Sequence, residues 1–247
     1  MAAITLLFTR ALSRHFGGLK AVEAVDFEVT QGEIHALIGP NGAGKTTFVS
    51  LLSGRIAPSS GTVTFLGEDI TSDTAYERVR KGIAYTFQIT SIYPKLSVFE
   101  NVALAAQNTL QRKSGWLSWK NQALENAVVS ALEKVGLADR ADGKAGALAY
   151  GHQRLLEIAM GLALAPKLLI LDEPTQGLSD SEIDGFCDLV KAVSKDTTIL
   201  LIEHNMRVVM RLADRITVLN GGQVLATGAP DDIRANEDVQ TAYLGGS

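Results

Sequence analysis

The order of apolar and polar residues along the chain predicts strands of two kinds. Residues 25–29 alternate between apolar and polar side chains, which is typical of a strand with one face in water in an antiparallel sheet. Three other segments, 33–38, 167–171 and 198–202, are short and mostly apolar, as expected of strands buried on both faces in a parallel sheet. Further strands are predicted at 4–9, 61–67, 83–87, 215–219 and 223–227, the last two joined by the turn Asn220-Gly221-Gly222.

Apolar residues also recur at helical spacing between these strands. Helices are predicted at 48–54, 74–81, 97–110 (with Ser97 as the N-cap), 121–135, 155–164 and 181–194. Because strands alternate with helices, we expect an α/β fold with a mainly parallel sheet and an N-terminal antiparallel β subdomain. Strand patterns fade between the two halves, which predicts a helical subdomain, residues 89–165, inserted in an α/β core formed by residues 1–88 and 166–247.

A glycine-rich segment follows the strand predicted at 33–38. It reads Gly39-Pro40-Asn41-Gly42-Ala43-Gly44-Lys45-Thr46-Thr47 and fits the pattern G-x-x-x-x-G-K-[ST] between a strand and a helix, which predicts a P-loop. Glycines permit positive φ angles, so the loop N–H groups can point toward an anion, and the following helix adds the positive end of its dipole. Lys45 would supply a charge for the outer phosphates of a nucleotide, and the Thr46 hydroxyl would bind Mg²⁺. The alternative is a glycine-rich turn with a solvated lysine, against which the strand–loop–helix order argues.

Polar residues follow the other buried strands at the point where each strand ends. Asp172 and Glu173 form a Walker B pattern, in which Asp172 would hold Mg²⁺ through its water shell and Glu173 would orient or deprotonate an attacking water. His204 could hydrogen-bond a γ-phosphate or be a structural or surface histidine, and Gln88 is of a type that is usually a surface amide. Because ligands of parallel sheets bind beyond the carboxyl ends of the strands, we expect these residues and Gly39 to converge on one site.

Composition and charge narrow the possible partners. The net charge of −4 and the isoelectric point of about 5.6 argue against a nucleic-acid partner, which usually requires a basic face.

Cys187 is the only cysteine, so no intrachain disulfide can form, and its apolar neighbours favour a buried position. No apolar run approaches the roughly 18 residues needed to cross a bilayer, so a membrane function would require another chain to supply the span. Trp116 and Trp119 are predicted to lie in a loop that either packs locally or meets a partner or lipid.

Taken together, these residues resemble the ATP-binding subunit of ABC transporters over nearly the whole chain. The matching motifs are the Walker A segment 39–47, the Q-loop Gln88, the signature segment 148–154, the Walker B pair Asp172-Glu173 and the H-loop His204. The resemblance implies a P-loop NTPase fold, ATP and Mg²⁺ as cofactors, and ATP hydrolysis coupled to transport. It implies catalytic roles for Lys45, Gln88, Glu173 and His204, and a metal site at Thr46, Gln88 and Asp172. Phe16 matches the family's aromatic residue that stacks on adenine, whereas the turn around it, taken alone, favours a core position.

The signature segment of this family binds the nucleotide held by the P-loop of a second subunit. The resemblance therefore implies nucleotide contacts for Ala149, Tyr150, Gly151 and His152. Ala149 and His152 depart from the general sequence Leu-Ser-Gly-Gly-Gln, and Ser179 stands where an aspartate is common after Walker B. Two such subunits would close over two ATP molecules and part after hydrolysis.

Segments that begin at positions 16, 32, 86, 148, 201 and 242 resemble the LivG-type ATPases of bacterial branched-chain amino-acid importers. The resemblance implies two transmembrane permease subunits, a second ATP-binding subunit, identical or not, and a periplasmic solute-binding protein that acts indirectly. It also implies a peripheral location on the cytoplasmic face of the bacterial inner membrane. The alternatives are the ATPase of a lipid or lipopolysaccharide exporter and a soluble ABC ATPase that acts on DNA or ribosomes. The acidic balance and the single ATPase unit argue against the second alternative.

Overall fold

The computed structural model of the chain describes residues 4–86, 91–110 and 122–244. The predictions for Gln88 and for the loop with Trp116 and Trp119 lie outside the described residues. The contacts divide the chain into two units, one formed by residues 1–78 and 194–247 and the other by residues 79–193. The boundaries predicted for the α/β core and the helical subdomain stay a prediction.

Most elements follow the predicted order, and a short strand at 68–69 and helices at 206–212, 230–235 and 237–244 were not predicted. The described strands are β1 (Thr5–Phe16), β2 (Leu19–Thr30), β3 (Ile34–Ile38), β4 (Ser60–Phe65), β5 (Glu68–Asp69), β6 (Ile83–Thr86), β7 (Leu168–Asp172), β8 (Thr198–Ile202), β9 (Arg215–Asn220) and β10 (Gln223–Gly228). The described helices are α1 (Lys45–Leu52), α2 (Ala75–Lys81), α3 (Val98–Leu110), α4 (Gln122–Lys134), α5 (Tyr150–Ala163), α6 (Asp180–Val193), α7 (Met206–Leu212), α8 (Pro230–Ala235) and α9 (Glu237–Leu244).

The first unit contains an antiparallel sheet in the order β2-β1-β4-β5. Strands β1 and β2 are longer than the segments predicted from the sequence, because they continue on both sides of the turn at Gly17-Gly18. Register shifts interrupt their pairing, and Ala11 and Ala24 adopt positive φ angles of 44° and 48° there. Such bulges shift the alternation of apolar and polar residues, which is why the alternation reveals only part of each strand.

The same unit contains the parallel strands that lead into the P-loop. β3 pairs in parallel with β8 on one side and with β9 on the other, and β10 pairs antiparallel with β9 through the predicted hairpin. All five residues of β3 and all five of β8 are buried. Apolar side chains of β3 and β9 form a core with α7, α8 and α9 that includes Ala36, Ile38, Val209, Ile216, Val218, Ile233 and Val239.

Arg78 closes the C-terminal end of the helix that follows the P-loop. Its side chain is buried, and Nη1 donates to the carbonyl oxygens of Leu51 and Leu52 at 2.6 and 2.9 Å. These carbonyls belong to the last turn of α1, where helical partners run out and a cation is favoured. The end of α1 is therefore held by a charge that the periodicity of the sequence did not reveal.

The second unit combines a parallel strand pair with the predicted helices. β6 pairs in parallel with β7, and α3, α4 and α5 contact one another. Ser97 is confirmed as the N-cap of α3, because its hydroxyl accepts from the N–H of Glu100 at 3.0 Å while the Glu100 carboxylate accepts from the N–H of Ser97 at 2.7 Å. Helix α5 begins at Tyr150, earlier than the predicted start at 155. The sequence pattern missed the first turn because that turn is polar and contains Gly151, which hides the helical spacing.

The structure confirms the predicted fold class, with parallel strands and helices, an N-terminal antiparallel sheet and a largely helical middle segment. Within the described part of the chain, no helix combines the length and the apolar character that a bilayer span requires.

Candidate nucleotide-binding site

The P-loop lies between β3 and α1, as the sequence predicts. Gly42 and Gly44 have φ angles of 79° and 96°, values that favour glycine, and Gly44 is the N-cap of α1. Helix α1 begins at Lys45, so the first-turn N–H groups and the positive end of the helix dipole face the loop. This geometry is suited to binding an anion such as a phosphate.

The glycines are also required by close packing behind the loop. A Cβ on Gly39 would lie 2.2 Å from the carbonyl oxygen of Leu219, and a Cβ on Gly44 would lie 2.3 Å from that of Ala21. Gly222, in the turn between β9 and β10, donates its N–H to the carbonyl of Ala43 at 3.0 Å. The start of β2 and the β9–β10 turn therefore brace the loop, a role that the sequence suggested for neither.

We expect Gly44→Ala to impair folding and nucleotide binding far more than Gly42→Ala does. Both substitutions place a side chain at a positive φ, which costs about 1 kcal/mol. Only the methyl group at position 44 would also overlap backbone, for about 1–3 kcal/mol more, because nothing lies within 4 Å of a Cβ at position 42. Thermal unfolding and nucleotide titration of the two variants test this, and equal losses would contradict the packing argument.

The two polar residues after the last P-loop glycine occupy the first turn of α1. Lys45 Nζ donates to the carbonyl oxygens of Gly39 and Pro40 at 2.7 and 3.1 Å, so its charge is held across the loop. Thr46 is exposed, Asn41 is exposed and Thr47 is half-buried. The Thr46 hydroxyl is an oxygen donor of the kind that Mg²⁺ prefers, so this position fits the predicted metal site.

Phe16 lies at the end of β1, in the hairpin whose second strand passes Gly44 at Ala21. Its side chain is 44% exposed, so the core position that the turn alone favours is wrong. The guanidinium carbon of Arg14 lies 4.6 Å from the centre of the ring, in cation–π geometry. The hairpin therefore presents an accessible aromatic ring, supported from one side by Arg14, on the element that runs beside the P-loop.

His204 follows β8 on the edge from which Gly39 follows β3. The register pairs Leu37 with Ile202, so the two strands end side by side, as the sequence predicts. The His204 side chain is 59% exposed, whereas the carboxylate of Glu203 is fully buried. Glu203 Oε2 accepts from the backbone N–H groups of His204 and Asn205 at 2.7 and 2.9 Å. Glu203 thus holds the turn that presents His204, a role that the sequence analysis missed.

His35 is buried within β3 and has a structural environment, as expected of a histidine in a strand. Its Nδ1 lies 3.0 Å from Glu33 Oε1 and its Nε2 lies 2.8 Å from Thr217 Oγ1. Burial alone would raise the pKa of Glu33, but the hydrogen bonds from His35 and from the N–H of Thr30 lower it below its usual value.

In the second unit, the Walker B pair lies at the end of β7. Asp172 is 4% exposed and its Oδ2 accepts a hydrogen bond from the hydroxyl of Tyr85 at 2.6 Å. Glu173 is half-buried and has a φ of 46°, a conformation that is costly for a residue with a side chain and that clusters at functional sites. The register pairs Thr86 with Leu171, so β6, which leads toward Gln88, ends beside the Walker B strand.

The predicted signature residues form the start of α5. Ala149 is the N-cap and offers no side-chain hydrogen bond, and Tyr150 is 44% exposed. A Cβ on Gly151 would lie 2.3 Å from Glu182 Oε1, so a larger residue at this position would require the exposed Glu182 side chain to move. The Nδ1 atom of His152 is buried, and none of the described residues forms a hydrogen bond with it.

Glu182 joins this helix start to the segment after Walker B. Its Oε2 accepts from the hydroxyl and the N–H of Ser179 at 2.7 and 2.8 Å, and the second of these bonds is the glutamate half of a capping box at the start of α6. These two hydrogen bonds, with a smaller contribution from His152, lower the pKa of the Glu182 carboxyl. The pattern Ser-x-x-Glu in the sequence is the signal that would have identified this cap.

Arg154 and Glu157 form a buried ion pair one turn further along α5. Arg154 Nη1 lies 2.8 Å from Glu157 Oε2, and the two side chains are 4% and 6% exposed. The N–H of Ser91 also donates to the Glu157 carboxylate. Burial raises the pKa of Glu157 above its usual value, and the hydrogen bonds from Ser91 and Arg154 offset this only in part.

We expect Arg154→Ala to lower the free energy of unfolding by about 3–5 kcal/mol, because it leaves the Glu157 charge buried without its cation. The matched control is Arg234→Ala, whose pair with Asp231 is 73% and 85% exposed and should be worth less than about 1 kcal/mol. Thermal unfolding of both variants measures the difference, and a similar change in the two midpoints would contradict it.

Within each unit, the structure brings predicted site residues to the same end of neighbouring strands. Gly39 and His204 lie at such neighbouring strand ends in the first unit. In the second unit Asp172 ends β7 beside the end of β6, and Glu173 follows it. The convergence of these two groups on one nucleotide stays a prediction, as do the individual roles of the residues.

Sequence and fold together define an ATP-binding cassette. Residues 22–176 match the model of the ABC transporter family, and the chain belongs to this family of transport ATPases. Residues 223–247 match a second model, described as branched-chain amino acid ATP-binding cassette transporter.

Among curated relatives, the chain is 41% identical over 250 residues to the high-affinity branched-chain amino acid transport ATP-binding protein LivG of Salmonella typhimurium, covering 97% of this chain and 98% of the relative. It is also 38% identical to the high-affinity branched-chain amino acid transport ATP-binding protein BraF of Pseudomonas aeruginosa, covering 97% of this chain and 98% of the relative. A crystal structure of a nucleotide-free ATP-binding cassette from an ABC transporter superposes with a TM-score of 0.85 at 29% identity, covering 97% of this chain and 99% of the other. Another, of an ATP-binding cassette in its ADP conformation, gives 0.86 at 28% identity, covering 98% and 99%.

Proposed function

We propose that this chain is the ATP-binding and ATP-hydrolysing subunit of an ABC importer for branched-chain amino acids or related amino acids and amides. The observation that carries the proposal is the similarity to LivG and BraF over 97% of the chain, extended by the C-terminal match to the branched-chain amino acid model. The braced P-loop supports the nucleotide-binding part of the proposal from geometry alone.

In the proposed mechanism, the phosphates of ATP lie in the loop formed by residues 39–47. The N–H groups at the start of α1 and the ammonium group of Lys45 balance their charge, and Phe16 stacks on the adenine ring. Lys45 is already held near the loop by two carbonyl oxygens, so little side-chain entropy is lost when phosphate replaces them.

Hydrolysis requires a positioned water and neutralisation of the phosphate charge. Glu173 orients the water and accepts its proton, and His204 contacts the γ-phosphate from the turn that Glu203 holds. Thr46, Gln88 and Asp172 are the proposed magnesium residues, and Thr46 and Asp172 provide the oxygen atoms that this ion prefers. When bound, Mg²⁺ neutralises developing charge on the phosphates.

Transport requires that hydrolysis be coupled to a change of shape. We propose that residues 149–152 contact the nucleotide bound to a second ATP-binding subunit, so that two subunits close over two ATP molecules. The complex would contain two membrane permeases and receive solute from a periplasmic binding protein, with this chain on the cytoplasmic face of the inner membrane. In this arrangement the solute never contacts the chain.

The test is a pull-down of the chain from its native membrane in mild detergent, with the partners identified by mass spectrometry. The importer proposal predicts two multi-spanning permeases and an ATP-binding subunit, and ATP-dependent uptake of branched-chain amino acids by the reconstituted complex. Export-type membrane proteins or ribosomes in place of the permeases would overturn the transport proposal. In that case, ATP hydrolysis by the purified chain would test the ATPase part of the proposal separately.

A further inference from the structure

The hydroxyl of Tyr85 makes a short contact with the Walker B carboxylate. Tyr85 lies on β6, whose register pairs it with Ile170 on β7, and its O–H donates to Asp172 Oδ2 at 2.6 Å. Both residues belong to the same unit, and the contact joins two positions far apart in the sequence. No local pattern in the sequence indicated a role for Tyr85.

This contact restricts the orientation of a carboxylate that has little access to water. Asp172 is 4% exposed, so its oxygens depend on fixed donors rather than on solvent. A carboxylate is planar, so a bond that holds one oxygen also sets the direction of the other. A tyrosine is a suitable donor because its rigid side chain loses little conformational entropy when it is held in place.

We propose that Tyr85 is a positioning residue for the magnesium site. By holding Oδ2, it directs the Asp172 carboxylate toward the water shell of the ion. The proposal rests on the metal role of Asp172 in the proposed function. Residues that orient metal-binding carboxylates in this way typically contribute about 10–100-fold to metal affinity.

The test is Tyr85→Phe in the purified full-length chain, which removes one oxygen and keeps the ring. Mg²⁺ is titrated at a saturating concentration of a non-hydrolysable ATP analogue, and the analogue is titrated separately in EDTA. We expect the apparent Kd for Mg²⁺ to rise about 10-fold, with analogue binding in EDTA unchanged. The thermal unfolding midpoint should fall but the transition should stay cooperative, because a buried carboxylate loses one donor. Tyr76→Phe is the matched control, because Tyr76 is 58% exposed on α2, and it should change neither affinity.

A double-mutant cycle separates orientation of Asp172 from any other effect of the hydroxyl. In the Asp172→Ala background, Tyr85→Phe should cause no further change in Mg²⁺ affinity. A loss that persists in this background, or an unchanged or tighter Kd for Mg²⁺ in the single variant, would overturn the inference and leave the proposed function standing. Failure of the wild-type chain to bind the analogue in a Mg²⁺-dependent manner would instead overturn the proposed function, and the inference with it.

Discussion

Replacement of Glu173 by glutamine is expected to reduce ATP turnover by about 10²–10⁴-fold and to leave binding of Mg²⁺–ATP intact. Glutamine has nearly the same shape as glutamate but cannot accept a proton from water. The local backbone should survive the change, because the positive φ at this position and the hydrogen bond from the N–H of Gln176 to its carbonyl at 3.2 Å involve no side-chain atom. Because ATP would bind but not be hydrolysed, the variant should also accumulate as a closed dimer.

Steady-state hydrolysis, equilibrium ATP binding and size-exclusion chromatography with ATP measure the three parts of this prediction. Glu133→Gln is the matched control, because it makes the same chemical change at an exposed position in the same unit and should leave turnover unchanged. Turnover close to that of the wild-type chain in the Glu173 variant would refute the role assigned to this carboxylate.

Lys45→Ala is expected to raise the Kd for ATP by about 10–100-fold, the effect of losing a charge-assisted hydrogen bond to phosphate. The loss should appear in binding itself, in contrast to the Glu173 variant, because Lys45 acts on the ground state of the nucleotide. The substitution also removes two hydrogen bonds within the loop, to Gly39 and Pro40. The two bonds are part-buried, but the loop keeps its backbone contacts with Ala21, Leu219 and Gly222, so we expect the fold to persist.

Calorimetric titration with ATP and, separately, with AMP tests whether the loss is specific to the outer phosphates. Lys195→Ala, at an exposed lysine elsewhere in the same unit, is the control for a general change in charge. An ATP affinity equal to that of the wild-type chain would count against the P-loop assignment. An equal loss of affinity for AMP would show that the lysine does not act on the outer phosphates.

Local patterns in the sequence were sufficient to predict most of the fold. The apolar run at 198–202 coincides with β8, and the serine at position 97 caps α3 as predicted. The P-loop was equally predictable, because its strand, its glycines and the first turn of its helix are consecutive in the chain. Such features depend on interactions between residues that are close in the sequence, so a local sequence pattern is enough to predict them.

Only the tertiary structure could decide which residues support the site. Tyr85 reaches Asp172 on a neighbouring strand, and Gly222 supports Ala43 across the first unit, in both cases through contacts between distant positions. The exposure of Phe16 likewise depends on what packs beside its hairpin, so the turn alone favoured the wrong environment.

The sequence by itself determined the positions of the nucleotide motifs and most of the order of strands and helices, because these rest on local spacing. The motifs together carried the resemblance that indicated the class of protein. The tertiary structure determined the supports of the site: the tyrosine at Walker B, the glutamate that holds the His204 turn and the turn that braces the P-loop. These depend on strand register and on side-chain packing over long separations, which no local pattern encodes.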